Sequence, residues 1–391
     1  MVREECRFQA GGADINGQAC VFHGRYYSSN AIEKHRLPRY HACMKRMFAR
    51  NSVLLLILMI PTTLAALGQR EAPPSDSYRI GVFVPGVVDG SPTYEMLVAG
   101  TQQAAAEGDN VSVSVVEGGF NQATWEENLM SMAASGRYDL IVTSNPSMPE
   151  LAEAVAQNVP GVQFLILDGY MEGNDRIHTV LFNQREQAFL AGYFAGLVTT
   201  SPMPGARPQR RIGLLAGQEY PIMNEVILVG YREGAQTVDS AIEVDFRVLG
   251  NWFDAGQAQE IATDMMALGA DVILTIAGGG NQGVVSAARE RGGYVIWYDD
   301  SGYDEGPGIV AGSTVVRQDQ ATYTAVAQAI RGETPWGSAL ILGVADGAVG
   351  FDLEHPEFRQ TVPREIANRM EAILAELRGG GRELPMPLPG Q

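Results

Sequence analysis

The chain has 391 residues, enough for two domains of ordinary size, and its 46% hydrophobic and 19% charged composition is that of a globular protein. Its 28 basic and 45 acidic residues leave a formal net charge of −17. That balance excludes DNA or RNA as a partner, because phosphate binding depends on clustered Lys and Arg, and it suits a carrier of a neutral or cationic solute.

The N-terminal segment stands apart. Cys6, Cys20 and Cys43 all precede residue 44, and both lysines, Lys34 and Lys45, lie within residues 1–68. The remainder, without cysteine, can form no disulfide or thiolate metal site. Met44 to Arg50 (MKRMFAR) is a basic stretch, Ser52 to Ile60 (SVLLLILMI) an apolar one, and Thr62 to Gly68 (TTLAALG) offers small residues at cleavage spacing. This three-part pattern predicts a signal peptide over 44–68 and a periplasmic product. Pro61 breaks the apolar run, which is too short to span a bilayer. No cysteine stands at the cleavage point, so a soluble rather than lipid-anchored product is expected, with no membrane insertion after cleavage. Residues 1–43 would bury this signal internally, so the start is expected at Met44 or Met47, with a genuine extension as the alternative.

From Tyr78 onward, short apolar strands alternate with helical patterns. Strands are predicted at 79–85, 111–117, 139–144, 162–168 and 178–183, with helices around 92–107, 122–135 and 149–157. Continuous apolar strands separated by helices predict a parallel sheet covered on both faces. After a helix at 185–199, the turn-rich Ser201–Gln209 (SPMPGARPQ) reads as an inter-lobe junction. The pattern restarts at 211–217, 243–250, 271–277 and 294–300. A βαβ unit follows (309–316, 319–331, 339–344), then VGFD (349–352) and a helix from 363 to 378. The opening strands RIGVF and RIGLL are similar, which suggests two related α/β lobes. The expected fold class is α/β, of the type I periplasmic binding protein kind, with two Rossmann-like lobes and a multi-crossing hinge. Lobe I is assigned 78–200 plus 309–343, and lobe II 209–308 plus 344–380.

In such folds ligands sit between lobes at the carboxyl ends of strands, so the post-strand loops hold the candidates. The first loop offers Asp89, Ser91 and Tyr94, and the third Asn145. The second lobe offers Trp252 beside Asn251, and Asp299 beside Asp300. Asp and Asn suit sugar hydroxyls, since a carboxylate accepts two hydrogen bonds from a cis-diol, and aromatic rings stack on a base or sugar face. The bland alternative for each polar residue is a helix cap or turn former.

Gly278-Gly-Gly-Asn-Gln-Gly283 fits G-x-G-x-x-G, with Asp299 at about dinucleotide-fold spacing, so a nicotinamide-dependent enzyme is a rival reading. The motif stands in the third rather than the first βα turn of its lobe, and no acid–base pair accompanies it. Gly279 and Gly280 are instead expected to present backbone N–H groups to a ligand oxygen. No Cys–His cluster, HExxH, EF-hand loop or G-x-S-x-G elbow occurs, so neither a metal, a cofactor nor a catalytic residue is expected.

Residues 269–300 (GADVILTIAGGGNQGVVSAARERGGYVIWYDD), the preceding NWFDAGQAQEIATDMMALGAD, ADGAVGF (345–351) and REQAFLAGYFAGL (185–197) together resemble the basic membrane protein family of ABC-transporter substrate-binding proteins, the PnrA-like purine nucleoside receptors. The resemblance implies a ligand cleft between lobes, a nucleoside ligand, and ABC permease and ATPase subunits as partners. It places Asp299 on the ribose hydroxyls, with Gly279 and Gly280 beside it. The chain departs from the pattern in three places. The first loop reads Asp89-Gly-Ser-Pro-Thr-Tyr-Glu95 where Asp-x-Ser-Phe-Asn is usual. The second aromatic falls on Val226 or Ile227. The late-strand lysine falls on Val316, with Arg317 adjacent. A sugar or autoinducer-type signalling receptor remains the alternative within binding proteins.

Overall fold

The computed structural model describes residues 77–388; the expected extension and export signal lie outside them. The first five strands, β1 (Tyr78–Val84), β2 (Val111–Glu117), β3 (Leu140–Ser144), β4 (Gln163–Leu167) and β5 (Ile177–Phe182), alternate with α1 (Pro92–Glu107), α2 (Trp125–Ala134) and α3 (Met148–Asn158). After α4 (Gln184–Thr199) the pattern repeats as β6 (Arg211–Ala216), α5 (Leu228–Val238), β7 (Glu243–Val248), α6 (Ala255–Ala267), β8 (Ala270–Ile276), α7 (Asn281–Arg291), β9 (Tyr294–Trp297) and β10 (Val310–Val316). The chain ends with α8 (Gln318–Ile330), β11 (Ala339–Leu342), β12 (Val349–Phe351), a short α9 (Pro356–Thr361) and α10 (Arg364–Arg378).

The strands form two six-stranded sheets with the same plan: β11-β5-β4-β3-β1-β2 and β12-β10-β9-β8-β6-β7. The similar sequences RIGVF and RIGLL occupy the same place, as β1 and β6. All pairings are parallel except β10 with β12. Strands such as β3 and β5 are buried along their whole length, as a sheet covered on both faces requires.

Two expected lobe boundaries change. Residues 309–316, assigned to lobe I, form β10, which lies between β9 and β12 in the second sheet. Helix 185–199, also assigned to lobe I, packs on the second lobe against α5, β8, β10 and β12. The reason is burial. Every residue from Gln187 to Thr199 is buried, so α4 needs apolar or close-packed neighbours on all sides. Gly192 and Gly234 let the α4 and α5 backbones touch: a Cβ on Gly192 would overlap the Tyr231 carbonyl oxygen, and one on Gly234 the Phe189 oxygen.

The SPMPGARPQ segment is therefore a loop within the second lobe, not a junction. Thr199 Oγ1 and the Arg207 N–H both donate to Asp271 Oδ2, at 2.8 and 2.7 Å, and the Arg207 guanidinium donates to the carbonyls of Met266 and Arg291. The chain crosses between lobes at Asn183, at Arg317 and at Gly343, each directly after a strand. Hydrogen bonds pin these crossings. Val344 N–H donates to Glu186 Oε2 (2.7 Å), Arg317 N–H to the Ala348 carbonyl (2.8 Å) and Asn183 Nδ2 to the Leu384 carbonyl (3.1 Å). With all crossings at carboxyl ends, those ends of both sheets face the gap between lobes.

Gly192→Ala should test the α4–α5 contact. Forcing the backbones apart is expected to lower stability by about 1–3 kcal/mol, read as a lower urea midpoint at unchanged slope. An unchanged midpoint would mean that the two backbones are not in contact.

Candidate functional site

The carboxyl ends of β4 and β9 deliver the two central groups, Asp168 and Asp299. They occupy equivalent places in the two sheets, and both have left-handed backbones, with φ of 52° and 78°. That conformation costs an L-residue about 1–2 kcal/mol and falls more readily to Asp than to most side chains.

The first turn of α4 ties the two acids together. The Asn183 side chain accepts from the Glu186 N–H (3.2 Å) and starts the helix. Gln184 and Gln187, three residues apart, share a helix face. Gln184 Nε2 donates to Asp168 Oδ1 (2.8 Å), and Gln187 Nε2 to Asp299 Oδ1 (3.0 Å). One acid from each lobe thus hangs on one helical turn.

Burial pushes Asp168 up to about 7; the nearby Asp299 charge adds to this and the Gln184 hydrogen bond opposes it. Burial likewise lifts Asp299 to about 6, against its hydrogen bond from Gln187 and with the charge of Asp300. Phenols surround the pair. Burial pushes Tyr94 up to about 12, opposed by the nearby Asn145 side chain and supported by the Asp168 charge, while its hydroxyl donates to the Pro85 carbonyl (3.1 Å). Tyr220 and Tyr298 are raised by burial and by the charges of both acids. The Trp252 ring lies 6.5 Å from that of Tyr220 and is 37% exposed. Beside Asp168 a cavity of about 290 Å³ opens between Pro146, Pro149, Tyr170 and Met171 of the first lobe and Ile222 of the second.

The structure brings together Tyr94, Asn145, Trp252 and Asp299 from the residues expected in the site. Asn145 also accepts from the Ser147 N–H (2.9 Å), so it serves the turn before α3 as well. Asp89 is exposed in its loop, and Ser91 precedes α1 without a side-chain capping bond. Arg317 is exposed at its crossing. The glycine turn differs from expectation, because its donors are occupied: Gly279 N–H donates to the Trp252 carbonyl (2.9 Å) and Gly280 N–H to that of Ala277 (3.0 Å). Its last glycine serves packing, since a Cβ on Gly283 would overlap the Ala255 carbonyl oxygen of α6. The two N–H groups expected to face a ligand oxygen are thereby taken.

Sequence reasoning missed Asp168, Gln184, Gln187 and Tyr220. The usable signal for Asp168 was the duplication, since it closes the expected strand 162–168 and Asp299 stands one residue before the end of the expected strand 294–300. Val226 and Ile227, where a stacking aromatic was sought, are buried in the core, Val226 against Leu181 and Met386. Tyr220, just ahead of Pro221, brings an aromatic ring to the acids instead. Two further rings mark the rim. Phe120 follows β2 and Phe253 follows β7, equivalent edge strands, and they are 74% and 78% exposed.

Two α/β lobes, three crossings and polar groups converging from both lobes on one cleft define the class of two-lobed solute-binding proteins. Residues 77–380 match the family described as "ABC transporter substrate-binding protein PnrA-like", and the chain belongs to that family. Basic membrane protein A of Borreliella burgdorferi is 24% identical over 331 residues, covering 83% of this chain and 94% of that protein. The ABC transporter nucleoside-binding protein BmpA of Lactococcus lactis is 30% identical over 152 residues, 39% of this chain and 41% of that one. The fold matches a solute-binding protein of an ABC transporter system from Aeropyrum pernix, with a TM-score of 0.69 at 23% identity over 80% of this chain and 94% of that one. No helix among the described residues is long and apolar enough to cross a membrane.

Raised carboxylates link the site to stability. Because both acids hold protons to higher pH when folded than a free carboxyl does, folding takes up protons below about pH 7. Their contribution to stability therefore falls as pH rises through 6 and 7. Asp168→Asn should raise the ligand-free melting temperature by a few degrees at mildly alkaline pH, with the gain shrinking as pH falls towards the ordinary carboxyl value of about 4. Equal shifts at both ends of that range would contradict the assignment.

Proposed function

We propose that this protein is exported to the periplasm by the signal at 44–68, closes its lobes over a nucleoside, and delivers it to an ABC permease and its ATPase. The observation that carries the ligand reading is the pair Asp168 and Asp299, one acid from each lobe, held by a single turn of α4 and flanked by Tyr94, Tyr220 and Trp252. Carboxylates accept paired hydroxyl donors from a ribose, and the rings offer flat faces to a base. A relative carrying nucleoside-binding in its name supports the same ligand class. The acids come from opposite lobes, so a solute touching both binds the closed form better than the open one, and this differential affinity drives closure.

Calorimetry on the chain lacking residues 1–68, against nucleosides, free bases, pentoses and NAD, tests this reading. Nucleosides are expected to bind tightly, and bases or pentoses alone weakly. Tight NAD or pentose binding with no nucleoside binding would replace it. Asp299→Ala should cost about 100-fold in affinity or more while the protein stays folded by circular dichroism. An affinity unchanged by that substitution moves the ribose site elsewhere.

A further inference from the structure

The first turn of α4 sets two acids together without a base. Among the described residues, the hydrogen bonds to the Asp168 and Asp299 side chains come from the two glutamine amides and reach only Oδ1 of each. Arg185, between those glutamines, is turned to Glu233 of α5. Arg317, adjacent in sequence to β10, is exposed to solvent and has no side-chain hydrogen bond or ion pair among the described contacts. Asp300 adds a third carboxylate, accepting from Trp297 Nε1 at 2.6 Å. Against these charges stands the N-terminal end of α4, equivalent to about half a positive charge. Burial and mutual repulsion lift the protonation range of the acids, as expected of carboxylates short of a cation.

Two further observations favour a positively charged partner. Tyr94, Tyr220 and Tyr298 gather around the acids, with Trp252 against Tyr220, and aromatic faces attract cations within about 6 Å. Buried polar atoms beside them have no protein partner: Gln187 Oε1, an acceptor on a fully buried side chain, and the Tyr298 hydroxyl, on a residue 6% exposed. Gln187 Oε1 and the second oxygen of each carboxylate make the site rich in acceptors, and the Tyr298 hydroxyl can accept or donate. The site is complementary to a solute rich in N–H and O–H donors.

We infer that the cleft selects solutes that bring their own positive charge, and that within nucleosides it prefers a cationic, base-methylated form over its neutral parent. This rests on the nucleoside reading above. A neutral solute leaves two carboxylates in one desolvated site, which then lose a charge to a proton. A cation supplies the missing charge directly.

The test compares two matched pairs by calorimetry, adenosine with 1-methyladenosine and guanosine with 7-methylguanosine. The methyl groups lie on different edges of the purine, so a steric clash at one edge does not decide the outcome. At least one cation should bind about tenfold tighter than its parent, with the gap narrowing as salt is added. Asp168→Asn, which keeps the shape and removes one charge, should bring that ratio close to one, whatever it does to the affinity of cation and parent together. If both cations bind no tighter than their parents, or the preference survives Asp168→Asn, the inference is overturned and the nucleoside reading stands. If none of the four binds, the nucleoside reading fails and the inference falls with it.

Discussion

The geometry of the cleft depends on the first turn of α4. Its backbone emerges from β5 of the first lobe, yet its body is buried in the second, so the turn sits where the chain first crosses. Gln184 reaches back to the acid of the lobe just left, and Gln187 reaches the acid of the lobe just entered. The spacing of three residues is what lets one helix face serve both. Glu186, between them, accepts from the Val344 N–H at the third crossing, and a Cβ on Gly343 would overlap its carboxylate. The bonds to the two acids and a bond at the third crossing therefore share one turn of helix. A solute that repositions either acid acts directly on the segment about which the lobes move.

The duplicated sheet plan explains why the two acids meet at all. Equivalent strands in equivalent positions end at Asp168 and Asp299, and apposing the carboxyl ends of the two sheets places these ends opposite one another. Both residues keep left-handed backbones, a local cost that the surrounding core sustains in each lobe. The same plan puts Phe120 and Phe253 on the two outer edges, away from the crossings, as exposed rings on the lips of the cleft.

Strand positions were legible in the sequence because each strand is a continuous apolar run bounded by turn residues, and the observed limits differ from the expected ones by a few residues at most, β9 ending three short. Lobe membership was not legible. Whether β10 or α4 belongs to one sheet or the other depends on which surface buries it, and an apolar segment carries no address. Proline-rich SPMPGARPQ resembled a junction by composition, but Asp271, 64 residues from Arg207, anchors it within one lobe. The site showed the same split. Asp299, Tyr94, Asn145 and Trp252 were visible as post-strand polar or aromatic residues. Gln184 and Gln187 were not, since glutamine in a helix has no distinctive pattern and their role arises only when two distant loops converge. Tyr220 was passed over because alignment by register looked downstream of Pro221, where the chain instead enters a π-helical turn over Met223–Ile227 and buries Val226 and Ile227.

An acid pair of this kind is a poor choice for stability and a good one for binding. Each carboxylate is lifted by burial, so at neutral pH the ligand-free protein either holds a proton there or tolerates an under-compensated charge. Replacing the pair with neutral residues would relieve that strain, yet it would also remove the acceptors that the two lobes present to the cleft. Anything that satisfies the acids binds the folded, closed form and not the unfolded chain, so the destabilisation of the empty cleft is recovered when the site fills. Left-handed acidic residues, raised carboxylates and the unpaired Gln187 Oε1 come together in the cleft, although Asn110 and Arg210 have left-handed backbones and Asp271 a raised carboxylate elsewhere. Two strained, under-compensated acids facing each other from two lobes leave the cleft with free energy that a complementary solute can recover.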